Sequence, residues 1–146
     1  EESTAVLQAL RAHELDPIFL LAPTSHRSRI ERISQAASGF VYYVSLKGVT
    51  GAANLDIAQV EAKLAEIRAC TTLPLGVGFG IKDAETAARV AGVADAVVVG
   101  SALVRKVEEH ADDREALLQD MGGLLRAMRE AMDGAAGAAQ AGASAA

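Results

Sequence analysis

Two stretches of sequence decide the fold of this chain, PLGVGFGI at residues 74–81 and ADAVVVGSAL at residues 94–103. Each is a short apolar run that leads into glycine, Gly80 in the first and Gly100 in the second, and a helix-length segment separates them. Short apolar runs bounded by glycine are typical of buried parallel strands. Glycine turns after the last two strands of a parallel barrel let backbone N–H groups approach phosphate oxygens, so the pair predicts a phosphate site.

The rest of the chain repeats the alternation of strand and helix. Strands are predicted over residues 18–21, 40–45, 75–79 and 96–99. Helices are predicted over residues 1–13, 25–38, 57–69, 83–92, 102–110 and 114–132, the last interrupted by Gly122-Gly123. Strict alternation predicts an α/β fold with a parallel sheet and right-handed crossovers. Four such units fit an open sheet or half of an eightfold barrel, and glycines at the carboxyl ends of the strands favour the barrel.

Composition limits the class of protein. The 146 residues are 51% hydrophobic with no Trp, which suits a core of aliphatic side chains, and the net charge of −5 argues against nucleic-acid binding. No apolar run approaches a membrane span, and no secretory leader is expected. The single cysteine, Cys70, fits a reducing cytoplasm. We therefore expect a cytoplasmic domain over residues 1–133 and a disordered Ala/Gly-rich tail over residues 134–146.

Four segments, taken together, resemble the tryptophan synthase alpha chain family. They are PIFLLAP at 17–23, GFVYYVSLKGVTG at 39–51, PLGVGFGI at 74–81 and VVVGSALV at 97–104. They occur in the family's order and spacing and cover roughly residues 1–130. The resemblance implies a (β/α)8 TIM barrel, of which this chain supplies strands five to eight.

The resemblance also implies an activity. The family is a carbon–carbon lyase of tryptophan biosynthesis that cleaves indole-3-glycerol phosphate to indole and glyceraldehyde 3-phosphate. Such a retro-aldol step needs paired acid and base groups and an anchored phosphate. The family's two catalytic carboxylates, on the second strand and in the loop after it, have no counterpart in this chain. The resemblance therefore implies that this half supplies the phosphate site and loop six, and that the isolated chain is inactive.

The family's functional residues carry over by motif. Substrate-binding positions are Gly51, Phe79, Gly80, Gly100 and Ser101, with Phe79 beside the indole and glycerol moiety and the others around the phosphate. Supporting catalytic positions are Tyr42, which helps to orient the catalytic aspartate, and Thr50, which hydrogen-bonds it from the closing loop. Tyr43 is expected to face the opposite way, toward helices, because side chains alternate along a strand. The three histidines show no metal-ligand spacing, so no metal site is predicted.

Partners follow from the same resemblance. It implies binding to the tryptophan synthase beta subunit in an alpha–beta heterotetramer, with pyridoxal phosphate held by the beta subunit and no cofactor in this chain. Residues 48–55, in loop six, would take part in signalling between subunits. Two alternatives stay open: another phosphate-binding barrel enzyme such as a phosphoribosyl isomerase, or a non-catalytic phosphate-binding half-barrel. The first usually carries a catalytic aspartate on strand five; here the strand from Ile18 ends in Ala22-Pro23-Thr24, with no acid, which counts against it.

A half-barrel has two open edges and an inner face without an opposite wall. Candidates for that inner face are Ile18, Leu20, Val77 and Val97. Exposed apolar edges invite association, so the sequence predicts that the isolated chain dimerises or is poorly soluble.

Overall fold

The computed structural model describes residues 2–45, 56–78 and 80–143, with side chains described between residues 4 and 135. The four strands are β1 (Phe19–Leu21), β2 (Val41–Val44), β3 (Leu75–Gly78) and β4 (Ala96–Val98). The helices are α1 (Glu2–Ala12), α2 (Arg27–Ala36), α3 (Ile57–Arg68), α4 (Ala84–Ala91), α5 (Ser101–Glu109) and α6 (Arg114–Ala143). Each predicted strand and helix is present, and most boundaries move by only one or two residues.

The strands form one parallel sheet in the order β1-β2-β3-β4. Leu21 lies opposite Tyr43, Tyr43 opposite Val77, and Val77 opposite Val97. Neighbouring strands are consecutive in the chain and run parallel, so each connection crosses over the sheet through a helix. The predicted α/β class and parallel sheet are confirmed.

The helices cover one face of this sheet and form the core with it. Side chains of this layer that are almost completely buried are Leu21, Val41, Tyr43, Leu75 and Val77 from the strands and Ile30, Leu64, Ile67, Val90 and Met128 from the helices. Val97 packs against the same cluster. The expectation that Val77 and Val97 face inward is therefore wrong, because their register with Tyr43 puts them on the helix side.

The opposite face of the sheet is open, as half of a barrel requires. Leu20 is 55% exposed and Ile18 36% exposed, which places both where they were predicted. Two glycines of β3 leave room on this face for two aromatic rings. A Cβ at Gly76 would lie 3.1 Å from Phe40 Cε2, and one at Gly78 would lie 2.7 Å from Tyr42 Cζ.

Side-chain caps hold the helices that follow β2 and β3. The Asp56 carboxylate accepts the Gln59 N–H at 3.2 Å and begins α3. Asp83 accepts the Thr86 N–H at 2.8 Å in a capping box that begins α4. Because α4 begins soon after β3 ends, this cap also fixes the chain leaving the turn at Gly80.

The last helix differs from its prediction in two respects. Gly122-Gly123 does not interrupt α6, which runs from Arg114 to Ala143. Met128 is 2% exposed and Leu124 packs against the core, and this tertiary packing offsets the helix cost of about 1 kcal/mol per glycine. The backbone also stays helical from Gly134 to Ala143, where the sequence predicted disorder, because alanine has the highest helix propensity. Within the described residues, no helix combines the length and apolarity needed to span a membrane.

Candidate phosphate-binding site

The carboxyl end of β3 is fixed by a buried serine. Ser45, which follows β2, donates twice to the Gly78 carbonyl oxygen, from its backbone N–H at 3.0 Å and from its Oγ hydroxyl at 2.8 Å. Two residues further on, Gly80 has φ +76°, a left-handed conformation that side chains with a Cβ rarely adopt. Among the residues that the structure describes, and apart from the two chain neighbours of Gly80, no atom lies within 4 Å of a Cβ placed at this position.

The carboxyl end of β4 leads through a glycine into a short helix. Gly100 is the N-cap residue of the nine-residue helix α5, and its carbonyl accepts the N–H groups of Leu103 at 2.9 Å and Val104 at 3.2 Å. Helix geometry leaves the amides of Ser101 and Ala102 without partners inside α5. They lie at the positive end of the helix, with the exposed Ser101 hydroxyl beside them.

The sheet register brings these two ends together. Gly78 lies opposite Val98, and Gly80 and Gly100 each follow two residues later along parallel strands. The Gly80 turn and the first turn of α5 therefore lie side by side at the carboxyl ends of the strands. Both present small residues and backbone at this edge, an arrangement suited to a phosphate group. β4 is followed by two helices, and the shorter one supplies the N-terminus, as in the phosphate sites of many barrels.

Comparison with known proteins decides the family. The family model described as tryptophan synthase alpha chain matches residues 1–133. The chain belongs to the tryptophan synthase alpha chain family. A tryptophan synthase alpha chain from Thioalkalivibrio sulfidiphilus is 67% identical over 133 residues, which are 91% of this chain and 50% of that protein. The chain thus spans about half the length of the curated relatives it matches.

Solved structures agree with this assignment. The tryptophan synthase alpha subunit of Legionella pneumophila is similar, with a TM-score of 0.75 and 38% identity over 89% of this chain and 47% of that one. A chain of the Mycobacterium tuberculosis tryptophan synthase in its aminoacrylate-bound form matches with a TM-score of 0.70 and 31% identity, over 90% of this chain and 45% of that one. The tryptophan synthase alpha neighbours are TIM barrels, and the chain covers about half of such a barrel.

The two tyrosines of β2 separate as the alternation predicts. Tyr43 is 3% exposed among the helices, and burial, with a smaller contribution from Glu66, raises the pKa of its hydroxyl. Tyr42 lies on the open face against Gly78. Its orienting role toward a catalytic aspartate of the tryptophan synthase alpha family stays a prediction. Three other predicted site residues, Thr50, Gly51 and Phe79, lie outside the described residues, as does the loop at residues 48–55.

The first strand ends in a turn that sequence reasoning missed. The buried Ser25 accepts the Ala22 N–H on its Oγ at 3.0 Å and donates its own N–H to the Ala22 carbonyl at 2.9 Å. Lys63 from α3 donates to the Ser25 carbonyl at 2.7 Å and pairs with Glu66 at 2.7 Å. Lysine on a helix is usually solvent-exposed, so only the tertiary contact identifies Lys63, whose side chain is 15% exposed, as a support of this edge.

One acidic cluster has a spacing that could suit a metal. Ligand atoms of Glu109, His110 and Asp120 lie within 4.8 Å of one another between α5 and α6. His110 Nε2 is 2.9 Å from Asp120, but Lys106 Nζ lies 3.1 Å from Asp120 and 2.9 Å from Glu109. Hydrogen bonds from His110 and Lys106 lower the pKa of the Asp120 carboxyl. The ammonium group already supplies the positive charge, so the cluster is an ion-pair network joining two helices.

Proposed function

We propose that this chain forms the phosphate-binding half of a lyase that cleaves indole-3-glycerol phosphate to indole and glyceraldehyde 3-phosphate. The observation that carries the proposal is the meeting of the Gly80 turn with the N-terminus of α5 at one edge of the sheet. It is supported by membership of the tryptophan synthase alpha chain family over residues 1–133.

The phosphate would be held by backbone rather than by side-chain charge. In this proposal the N–H groups of Gly80, Gly100 and Ser101 donate to its oxygens, the Ser101 hydroxyl adds a donor, and the α5 dipole favours the dianion. Gly51 completes the phosphate site, and Phe79 flanks the indole and glycerol moiety. The phosphate lies away from the carbon–carbon bond that breaks. Because it is anchored, its binding energy is used to hold that bond in the orientation needed for reaction.

The chemical step needs groups that this half does not supply. The carbon–carbon bond between indole and the glycerol chain breaks as a proton reaches the indole carbon and another leaves a glycerol hydroxyl. In our proposal the paired carboxylates for these transfers come from the N-terminal half of the barrel. Tyr42 and Thr50 orient them from this half, with Tyr42 held in position by the close approach to Gly78.

The proposed assembly extends to a second protein. We propose that the completed barrel binds a tryptophan synthase beta subunit in the cytoplasm, that the beta subunit carries pyridoxal phosphate, and that this chain carries no cofactor. A similar solved chain comes from the structure of tryptophan synthase from M. tuberculosis in its aminoacrylate-bound form, which supports this partner.

Indole release from indole-3-glycerol phosphate tests the proposal. The chain is assayed alone, and then mixed with a separately produced N-terminal half of a close relative. No activity alone and activity in the mixture is the expected result. Activity of the chain alone would place an acid–base pair within these residues, and no activity in a mixture shown to form a complex would overturn the proposed lyase role.

Two substitutions distinguish phosphate binding from the chemical step in the complex of this chain with the N-terminal half. Ser101→Ala removes one hydroxyl donor while keeping the backbone amide, and we expect a modest rise in KM with kcat little changed. Gly80→Ala strains a residue at φ +76° and is expected to raise KM much more. Ala65→Asp, on the exposed side of α3, is the control that should leave both constants unchanged.

A further inference from the structure

A side-chain hydroxyl holds the chain where it enters the Gly80 turn. The Oγ hydroxyl of Ser45 donates to the Gly78 carbonyl at 2.8 Å, in addition to the backbone hydrogen bond from the Ser45 N–H at 3.0 Å. Ser45 is 9% exposed, and a hydrogen bond made away from water is the stronger for it. The last carbonyl of β3 is therefore held by two donors, one of which is a side chain.

A second hydroxyl holds the chain where it leaves the turn. Thr86 Oγ1, in the first turn of α4, accepts the N–H groups of Lys82 and Asp83, each at 3.3 Å. The Thr86 hydroxyl donates to Asp83 Oδ1 at 2.7 Å, which leaves its oxygen lone pairs for the two amides. Between Gly80 and these amides, Ile81 is 3% exposed and packs in the core. The chain is thus fixed directly after the glycine.

The glycine itself explains why these hydrogen bonds matter. Gly80 has φ +76°, and glycine is the residue whose backbone is least restricted. A turn that samples many conformations has to be ordered when a ligand binds, and this ordering lowers the affinity. A turn that is already held in one conformation avoids that loss. Groups that fix the turn from outside therefore influence how tightly it binds an anion.

We infer that Ser45 and Thr86 are positioning residues of the phosphate site, which hold the Gly80 turn in its anion-binding conformation through one hydroxyl on each side of it. The inference rests on the proposed function, because it takes the Gly80 turn to bind the substrate phosphate. Neither hydroxyl has to contact the phosphate, since each is engaged with groups of this chain. Loss of either hydroxyl should weaken phosphate binding and leave the proton transfers unaffected.

The other part of the site is held in a different way. The first turn of α5 is closed by its own backbone, because the Gly100 carbonyl accepts the N–H groups of Leu103 and Val104. Substitutions that remove a hydroxyl beside the Gly80 turn should therefore disturb the Gly80 amide more than the Ser101 amide. This difference distinguishes a loss of positioning from a general loss of structure.

The test measures phosphate binding in the complex of this chain with the N-terminal half of the barrel, with an isotope label in this chain alone. Inorganic phosphate is titrated in, and the amide signals of Gly80 and Ser101 are followed by NMR. Thr86→Val removes the hydroxyl and keeps the side-chain shape, and we expect it to raise the dissociation constant for phosphate about three- to tenfold. Thr86→Ser keeps the hydroxyl and should bind phosphate as the wild type does.

Ser45→Ala provides a second, independent variant. We expect a smaller rise in the dissociation constant, because the Ser45 N–H still holds the Gly78 carbonyl. In assays of indole release, Ser45→Ala and Thr86→Val should both raise KM and leave kcat little changed. Thr71→Val is the matched control. Thr71 Oγ1 accepts the Leu73 N–H at 3.2 Å near the amino end of β3, so the same substitution removes a hydrogen bond far from the site.

Circular dichroism checks that each variant is folded, and Ser45→Ala carries the test if Thr86→Val does not fold. Phosphate binding that neither variant weakens, or that Thr71→Val weakens as much, would overturn the inference and leave the phosphate site intact. Equal disturbance of the Gly80 and Ser101 amides, or a fall in kcat at unchanged KM, would do the same. A wild-type complex that binds no phosphate would overturn the proposed phosphate site, and this inference with it.

Discussion

The ring of Tyr42 occupies the space where a side chain at Gly78 would begin. A Cβ on Gly78 would lie 2.7 Å from Tyr42 Cζ and 2.8 Å from Cε2, closer than real Cβ contacts. The carbonyl of the same glycine accepts two hydrogen bonds from Ser45, which directly follows β2. The end of β3 is thus fixed between two residues of the β2 end, immediately before the Gly80 turn.

Gly78→Ala tests this packing. We expect a loss of about 1–3 kcal/mol in the free energy of unfolding, because the added methyl group forces the Tyr42 ring aside. Urea unfolding of Gly78→Ala, Tyr42→Ala and the double variant gives the interaction energy. The double variant should be more stable than the sum of the single losses predicts; strict additivity would contradict the contact.

Gly122→Ala is the opposite case. Gly122 lies inside the uninterrupted helix α6, and, the helix's own backbone aside, no atom of the described residues lies within 4 Å of a Cβ placed there. Alanine is favoured over glycine in helix interiors by about 1 kcal/mol. We expect the substitution to raise the free energy of unfolding by about 0.5–1 kcal/mol. An unchanged or lower stability in the same urea titration would argue against a continuous helix at this position.

Asp95 links β3, α3 and the start of β4 at the amino-terminal ends of the strands, opposite the candidate site. Its Oδ2 accepts the Leu75 N–H at 2.8 Å and Arg68 at 3.1 Å, and Arg68 also donates to the Val93 carbonyl at 3.0 Å. Asp95→Ala is expected to cost about 1–3 kcal/mol, because the Leu75 amide loses its acceptor. Asp95→Asn keeps an acceptor oxygen and should cost less. Equal losses of stability in the two variants, measured by thermal unfolding, would show that the Asp95 charge matters rather than its hydrogen bond with the Leu75 N–H.

Asp83 predicts how stability changes in acid. Hydrogen bonds from the Thr86 side chain and backbone lower the pKa of the Asp83 carboxyl. A carboxyl whose pKa is lower in the folded state stabilises the fold above its unfolded pKa, and that contribution is lost as the pH falls below about 4. Asp83→Asn keeps an N-cap but does not titrate. Its Tm should therefore fall less steeply than the wild-type Tm between pH 5 and pH 3, and parallel curves would contradict the cap's role.

Local sequence patterns predicted the helices and strands well, because each is marked by residue types within a few positions of one another. The apolar runs at β1 to β4, Asp56 before α3 and the glycine after each of the last two strands needed no distant contact to be recognised. Predictions failed where packing outweighs local preference. Gly122-Gly123 reads as a break, yet the burial of Met128 keeps α6 continuous.

By itself the sequence determined the alternation of strands and helices, the family to which the motifs point, and the glycines whose freedom the turns require. Only the tertiary structure decided which face of each strand the helices cover. Val77 and Val97 lie on the helix side because the strand register places them in line with Tyr43. It also revealed Ser45, Ser25 and Lys63 as supports of the site edge. The physical reason is that backbone conformation is encoded locally, whereas a buried hydrogen bond exists only once distant segments meet.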